Sequence, residues 1–252
     1  MEHKNCDGVL PVKNFIAELD GCFARDDLAA AGEVLSRWER LAREQYDRTA
    51  LLSILSEEIG YYRQTADPAR GVPAIEEAFS LIDELEIQDT VSAGTIYING
   101  ATTYKSFGMA ERGMAYYDRA ERIYAAQLPP DDYRVAALCN NRALALSDLG
   151  DTEAAERSFL RALRILRAEG LHDGEIAVTH IGLAHLYDKI GRRDGIEPQL
   201  ESAWQILSSG ELPRDGDFAF ICSKCAPSYG YFGQKEREAV LTQIAAQIYG
   251  KH

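Results

Sequence analysis

The chain has 252 residues, 46% hydrophobic and 27% charged, the make-up of an ordinary globular protein and not of a collagen-like, disordered or disulfide-scaffold chain. Lysine plus arginine (27) against aspartate plus glutamate (40) leaves a formal charge of −13, which repels phosphate backbones and anionic lipid and sets nucleic acid and membrane aside as partners. The longest unbroken apolar runs, Val135 to Cys139 and Phe218 to Cys222, are five residues, against roughly 20 for a bilayer span.

At the amino terminus, residues 1–11 read as a tail. The first thirty residues carry Glu2, Asp7, Glu18, Asp20, Asp26 and Asp27 and build no signal-peptide core. The five cysteines are odd in number and too sparse for a disulfide framework, so the expected compartment is the reducing cytoplasm. From Val12 onward, helix breaks at Asp26, Ala66, Gly108, Gly150, Gly191 and Gly233 recur at intervals of 40, 42, 42, 41 and 42 residues. One array of about six repeats, with no domain boundary, therefore fills residues 12–252.

The first copy has Leu19, Ala31, Leu35 and a bulky Trp38; the second has Tyr62, Gly71, Ile75 and Ala78. In the third, Ala101, Tyr104, Gly108, Gly113, Tyr117 and Ala120 fill the small and aromatic slots. The fourth is the most regular, with Ala143 seven before Gly150 and Ala155, Phe159 and Ala162 five, nine and twelve after it. The fifth has Ala184, Tyr187, Gly191, Leu200 and Ala203. The sixth keeps Ala226, Tyr229, Gly233 and Ala245 but places Pro227 within its first helix, which predicts a kink or a break there. No sustained period-two pattern occurs, so twelve helices are expected.

The fourth copy resembles the tetratricopeptide repeat, in which two antiparallel helices pack through a small residue, an aromatic and another small residue. Its long period is similar to that of the kinesin light chain repeats. The segment from Val135 to Leu146 also looks like that family's first helix, with the pair Asn140 and Asn141 near its centre and Arg142 in place of a leucine. Pro73 and Pro198 stand where that family often carries proline, a position expected within a first helical turn. Residues 129–132 and 212–217 read as loops between repeats with acidic helix starts. The resemblance implies an all-α, right-handed α-solenoid superhelix of six antiparallel helix pairs with a concave and a convex side.

It also implies a site. The first helix of each pair would line the concave groove, placing Arg63, Asn99, Thr102, Lys105, Asn140, Asn141 and His185 there, together with Leu144 and Gly182. Carboxamides can donate to and accept from a peptide backbone at once, and Asn99 and Asn141 hold equivalent positions in successive repeats. The expected groove charges are Lys13, Arg63, Lys105 and Lys224 against Asp20, Glu57 and Asp188, so most of the acidity belongs to a solvated convex face. A carboxylate clamp for chaperone tails needs a cation in the next repeat, where Val178 and Gly182 stand.

Cys222-Ser223-Lys224-Cys225 is a C-x-x-C with no second pair or following histidine at zinc spacing. Cys22, Cys139, Cys222 and Cys225 all fall on packing slots. His180 and His185 are five apart, which gives one packing and one groove-lining residue and not a ligating pair. Glu76 and Glu77 read as a solvated charge run. No phosphate-cradling glycine loop, H-E-x-x-H or G-x-S-x-G occurs. The expected function is a non-catalytic scaffold holding a protein or extended peptide in the groove, without cofactor or metal. The alternative is an intracellular receptor for a short signalling peptide that regulates a partner protein. A catalytic or metal role for Cys222, Cys225 and His185 is the third and weakest reading, and homo-oligomerisation is left open.

Overall fold

The computed structural model describes residues 10–25, 27–170 and 172–250. Those residues form twelve α-helices and no strand. The helices are α1 (Val12–Phe23), α2 (Leu28–Glu44), α3 (Arg48–Gln64), α4 (Pro68–Glu84), α5 (Val91–Ser106) and α6 (Ala110–Gln127), then α7 (Tyr133–Leu149), α8 (Thr152–Glu169), α9 (Asp173–Lys189), α10 (Ile196–Ser208), α11 (Gly216–Tyr231) and α12 (Lys235–Tyr249). The chain divides into two compact units, one ending at Gln127 and one beginning at Leu128.

Local chemistry places the helix ends. Aspartate carboxylates at Asp27, Asp47, Asp67, Asp132, Asp151 and Asp215 accept backbone N–H groups of the first turns of α2, α3, α4, α7, α8 and α11. At the turn inside each pair the chain enters the left-handed region at Ala66, Gly108, Gly150, Gly191 and Gly233, with φ between 52° and 86°. These are five of the six breaks expected from spacing; the sixth, Asp26, lies outside the described residues, as do residues 1–9 of the expected tail.

Within the first unit α1 packs on α2, α3 on α4 and α5 on α6; within the second, α7 packs on α8, α9 on α10 and α11 on α12. First helices also meet the next first helix: α3 meets α5, α7 meets α9 and α9 meets α11. The core follows the repeat slots, with Ala143, Ala155, Phe159 and Ala162 all buried, as are Tyr104, Tyr117 and Tyr229. No helix among the described residues is long and apolar enough to cross a membrane.

Three expectations need correction. Pro227 does not break the sixth pair, because α11 runs through it from Gly216 to Tyr231. Its missing donor costs a single ladder bond, while Phe218, Ala219, Cys222, Cys225, Ala226 and Tyr229 hold the buried side of the helix in place. Pro73 is not in a first turn, since α4 already begins at Pro68. At the matching slot of the fifth pair, Pro198 does lie in the first turn of α10, behind a 3-10 turn at Arg193–Gly195. Finally, Glu76 and Glu77 are not merely solvated: Arg112 of α6 pairs with Glu76, and Arg43 of α2 pairs with Glu77 at 2.6 Å. Such partly exposed pairs fix register more than they stabilise.

Candidate functional site

Along the first helices, buried and half-buried residues alternate so that one polar stripe stays accessible. In the first unit it carries Glu57 and Arg63 on α3 and Asn99, Thr102 and Lys105 on α5, all half-buried. Arg63 donates from Nη1 to Thr103 Oγ1 at 3.2 Å, and Thr103 is itself buried and donates to the Ile59 carbonyl at 3.4 Å. Burial lowers the Arg63 pKa, with Tyr117 opposing it. Glu57 is raised from the ordinary carboxylate value by burial first and by Asp20 of α1 second. The Thr102 hydroxyl meets the Tyr117 hydroxyl at 3.0 Å, anchoring it to α6. Asn99 makes no hydrogen bond among the described residues through its carboxamide.

In the second unit, the corresponding stripe is partly self-satisfied. Asn140 Nδ2 donates to Thr179 Oγ1 of α9 at 2.8 Å, while its Oδ1 is buried without a hydrogen-bond partner among the described residues. Asn141 Nδ2 donates back to the Ala137 carbonyl of its own helix at 3.0 Å. His185 Nε2 lies 2.9 Å from Ser228 Oγ of α11, and the imidazole packs beside Tyr231 and Phe232 with ring centroids at 5.3 and 5.0 Å. Burial lowers the His185 pKa, partly opposed by Asp188. Asp188 in turn accepts the Tyr231 hydroxyl at 2.7 Å. Leu144 is exposed on the same helix as Asn140 and Asn141.

The predicted residues thus form two sets: Arg63, Asn99, Thr102 and Lys105 in the first unit, and Asn140, Asn141 and His185 in the second. Gly182 departs from the expected lining. A Cβ there would stand 2.7 Å from the Phe159 ring of α8, so the position is a packing slot between repeats. His180 is buried, as expected of a packing residue, with Nε2 3.0 Å from Arg167 Nη2 and Nδ1 2.6 Å from Gln199 Oε1. Arginine only donates, so Nε2 accepts and the imidazole is neutral with its proton on Nδ1.

The C-x-x-C motif turns inward. Cys222 and Cys225 are buried, and burial pushes their thiols up to about 11 and about 12, far from the thiolate that metal binding or nucleophilic attack requires. Among the described residues no group of histidine, cysteine, aspartate and glutamate side chains could hold a metal ion.

Sequence reasoning missed the arginines that staple successive repeats. Arg112 and Arg237 each lie over an aromatic ring, Tyr104 and Trp204, at 4.7 and 5.0 Å, while pairing with Glu76 and Glu201 of the preceding second helix. The signal was present as an arginine thirty-six residues after a glutamate in both cases.

A tetratricopeptide repeat family profile matches residues 136–166, the fourth copy. No curated protein sequence matches the chain. Among solved structures, BtubC (BKLC) from P. vanneervenii is similar over 96% of this chain and 92% of its own, at 21% identity and a TM-score of 0.57. Kinesin light chain TPR-like repeats from Podosopora anserina are similar over 78% of this chain and 94% of their own, at 17% identity and a TM-score of 0.55. With helix pairs packed in sequence and a repeat-family match at the most regular copy, this chain has the all-α solenoid fold of the tetratricopeptide repeat proteins.

Proposed function

We propose that the chain is a non-catalytic interaction scaffold whose first-helix faces hold an extended segment of a protein or peptide partner. The observation that carries this reading is Arg63: a half-buried guanidinium whose hydration is reduced and whose hydrogen-bond partner among the described residues is the hydroxyl of Thr103. A charge left in that state gains from an incoming carboxylate or carbonyl. Asn99, on the neighbouring first helix with an unspent carboxamide, supplies the donor and acceptor that a peptide backbone needs. Asn140 and Asn141 are weaker contributors, because their amide donors already serve Thr179 and Ala137. The fold supports the same reading, as tetratricopeptide arrays commonly serve protein interaction.

The test is capture of a partner from the native cytosol, followed by binding of the captured segment to variants. Asn99→Ala should weaken binding by about 1–3 kcal/mol and leave thermal stability unchanged. Arg63→Gln should weaken it further and flatten its salt dependence. If Asn99→Ala, Asn141→Ala binds the captured segment as well as the parent while melting much earlier, the asparagines are helix braces and the proposal fails.

A further inference from the structure

The second unit holds a cleft of about 440 Å³ between the first turn of α9, the loop that enters α11 and the start of α11, two of the first helices. Its two kinds of lining are separated by chemistry. Leu212, Pro213, Phe218, Phe220 and Ile221 give an apolar floor, and Phe220 is 52% exposed. Asp173, Glu175, Asp215 and Asp217 give carboxylates. Asp215 caps α11 by accepting the Phe218 N–H at 3.0 Å, whereas Asp173, Glu175 and Asp217 form no ion pair among the described residues. The nearby cations are Arg214 in the loop and Lys224 over the Phe220 ring at 4.3 Å, while the His172 ring stacks on Tyr133 at 4.9 Å.

Acidic residues in a first helical turn favour the helix N-terminus by themselves, and that accounts for Asp173, Glu175 and Asp217 as caps. It does not account for an aromatic side chain held open to solvent beside them. The arginine-bearing cavity of the first unit makes the contrast: there Arg37 is paired with Glu18, and Arg70 with Asp67 at 2.7 Å. A rim with three carboxylates outside any ion pair among the described residues, set around an apolar floor, matches one kind of side chain, a long aliphatic stem ending in a cation.

We propose that this cleft docks a basic peptide segment, with the methylenes of a lysine or arginine lying on Phe220 and Ile221 and its charged head meeting Glu175 and Asp217. The volume accommodates one or two side chains, in the range of small ligand sites. The cleft favours a cationic ligand, whereas Arg63 favours an anionic one.

The probe is a short, amidated, fluorescein-labelled peptide with two adjacent arginines next to a leucine, read by anisotropy with the full chain. Its acidic counterpart, glutamate for each arginine, is the control. The arginine peptide should bind and the acidic one should not, and affinity should fall several-fold between about 50 and about 200 mM salt. Glu175→Gln, Asp217→Asn should lose at least about tenfold in affinity, which corresponds to about 1.4 kcal/mol. Phe220→Ala, a change at an exposed side chain that should not perturb folding, should lose about three- to tenfold, while Asn99→Ala should change nothing. No binding of the arginine peptide, equal binding of both peptides, or full retention of affinity in both cleft variants would overturn the proposal. If the carboxylate variant only lowers the melting temperature, those residues are helix caps alone. Equal affinity for spermine would reduce the cleft to a nonspecific cation sink.

Discussion

The ring of Phe159 in α8 occupies the space that a side chain on Gly182 of α9 would need, since a Cβ at that glycine would stand 2.7 Å from both Cε1 and Cζ. One helix pair is therefore keyed to the next by an aromatic set against a hydrogen. Phe159→Ala should destabilise the fold by about 3–5 kcal/mol through lost burial and a residual cavity. Gly182→Ala should cost about 1–3 kcal/mol by overpacking. Chemical denaturation of both variants and of the double variant checks the pair: the double variant should cost less than the sum, because the smaller side chain at 159 makes room for the methyl group.

Backbone conformation at the turn inside each pair predicts opposite outcomes at two equivalent positions. Ala66 and Gly150 both lie in the left-handed region, with φ of 52° and 86°. Gly150→Ala should cost about 1 kcal/mol because the methyl group clashes with its own carbonyl. Ala66→Gly should be neutral or stabilising by a few tenths of a kcal/mol, relief of that strain being offset by the greater freedom glycine has when unfolded. Thermal unfolding separates the two signs.

Glu58 predicts an unusual pH dependence. It is 3% exposed, its Oε1 has no hydrogen-bond partner among the described residues, and burial, helped by Glu39 and Glu77, pushes its pKa up to about 8. Its native pKa lies above the unfolded value of about 4.5, so between those two pH values the native state keeps a proton that the unfolded chain has lost. Stability should therefore fall as pH rises through that window and level off above it. Glu58→Gln should remove the slope and gain about 1–3 kcal/mol at pH 8.

His180 acts in the reverse direction. Burial, with Arg167 adding to it, lowers its pKa below the ordinary 6.5, against a smaller raising effect from Gln199. Below that value the unfolded chain takes up a proton that the native imidazole refuses, so this contribution is whole above about pH 6.5 and is lost as pH falls. His180→Gln should flatten the acid side of the stability profile and leave the Glu58 slope untouched.

The repeat was legible in the residues because its cause is local. A break residue that tolerates positive φ, a small residue seven before it and an aromatic nine after it are demands of one helix pair, and Ala143, Gly150 and Phe159 state them within seventeen residues. The position of Pro227 was legible but its consequence was not. A proline's effect depends on how firmly neighbouring layers hold the helix, and α11 is held on its buried side from Phe218 to Tyr229.

The candidate site divided along the same line. Periodicity placed Arg63, Asn99 and Asn141 on first helices, since 3.6 residues per turn sets which side of a helix a residue faces. Only packing between helices determined what each polar atom met. It gave Asn140 to Thr179, turned Asn141 back on Ala137, left Asn99 unspent and took Gly182 out of the lining. The burial of Glu58 and the meeting of Glu175 with Asp217 at one cleft likewise join residues of separate helices. Sequence spacing fixes angles around one helix axis, and the distances between axes exist only once the helices have packed.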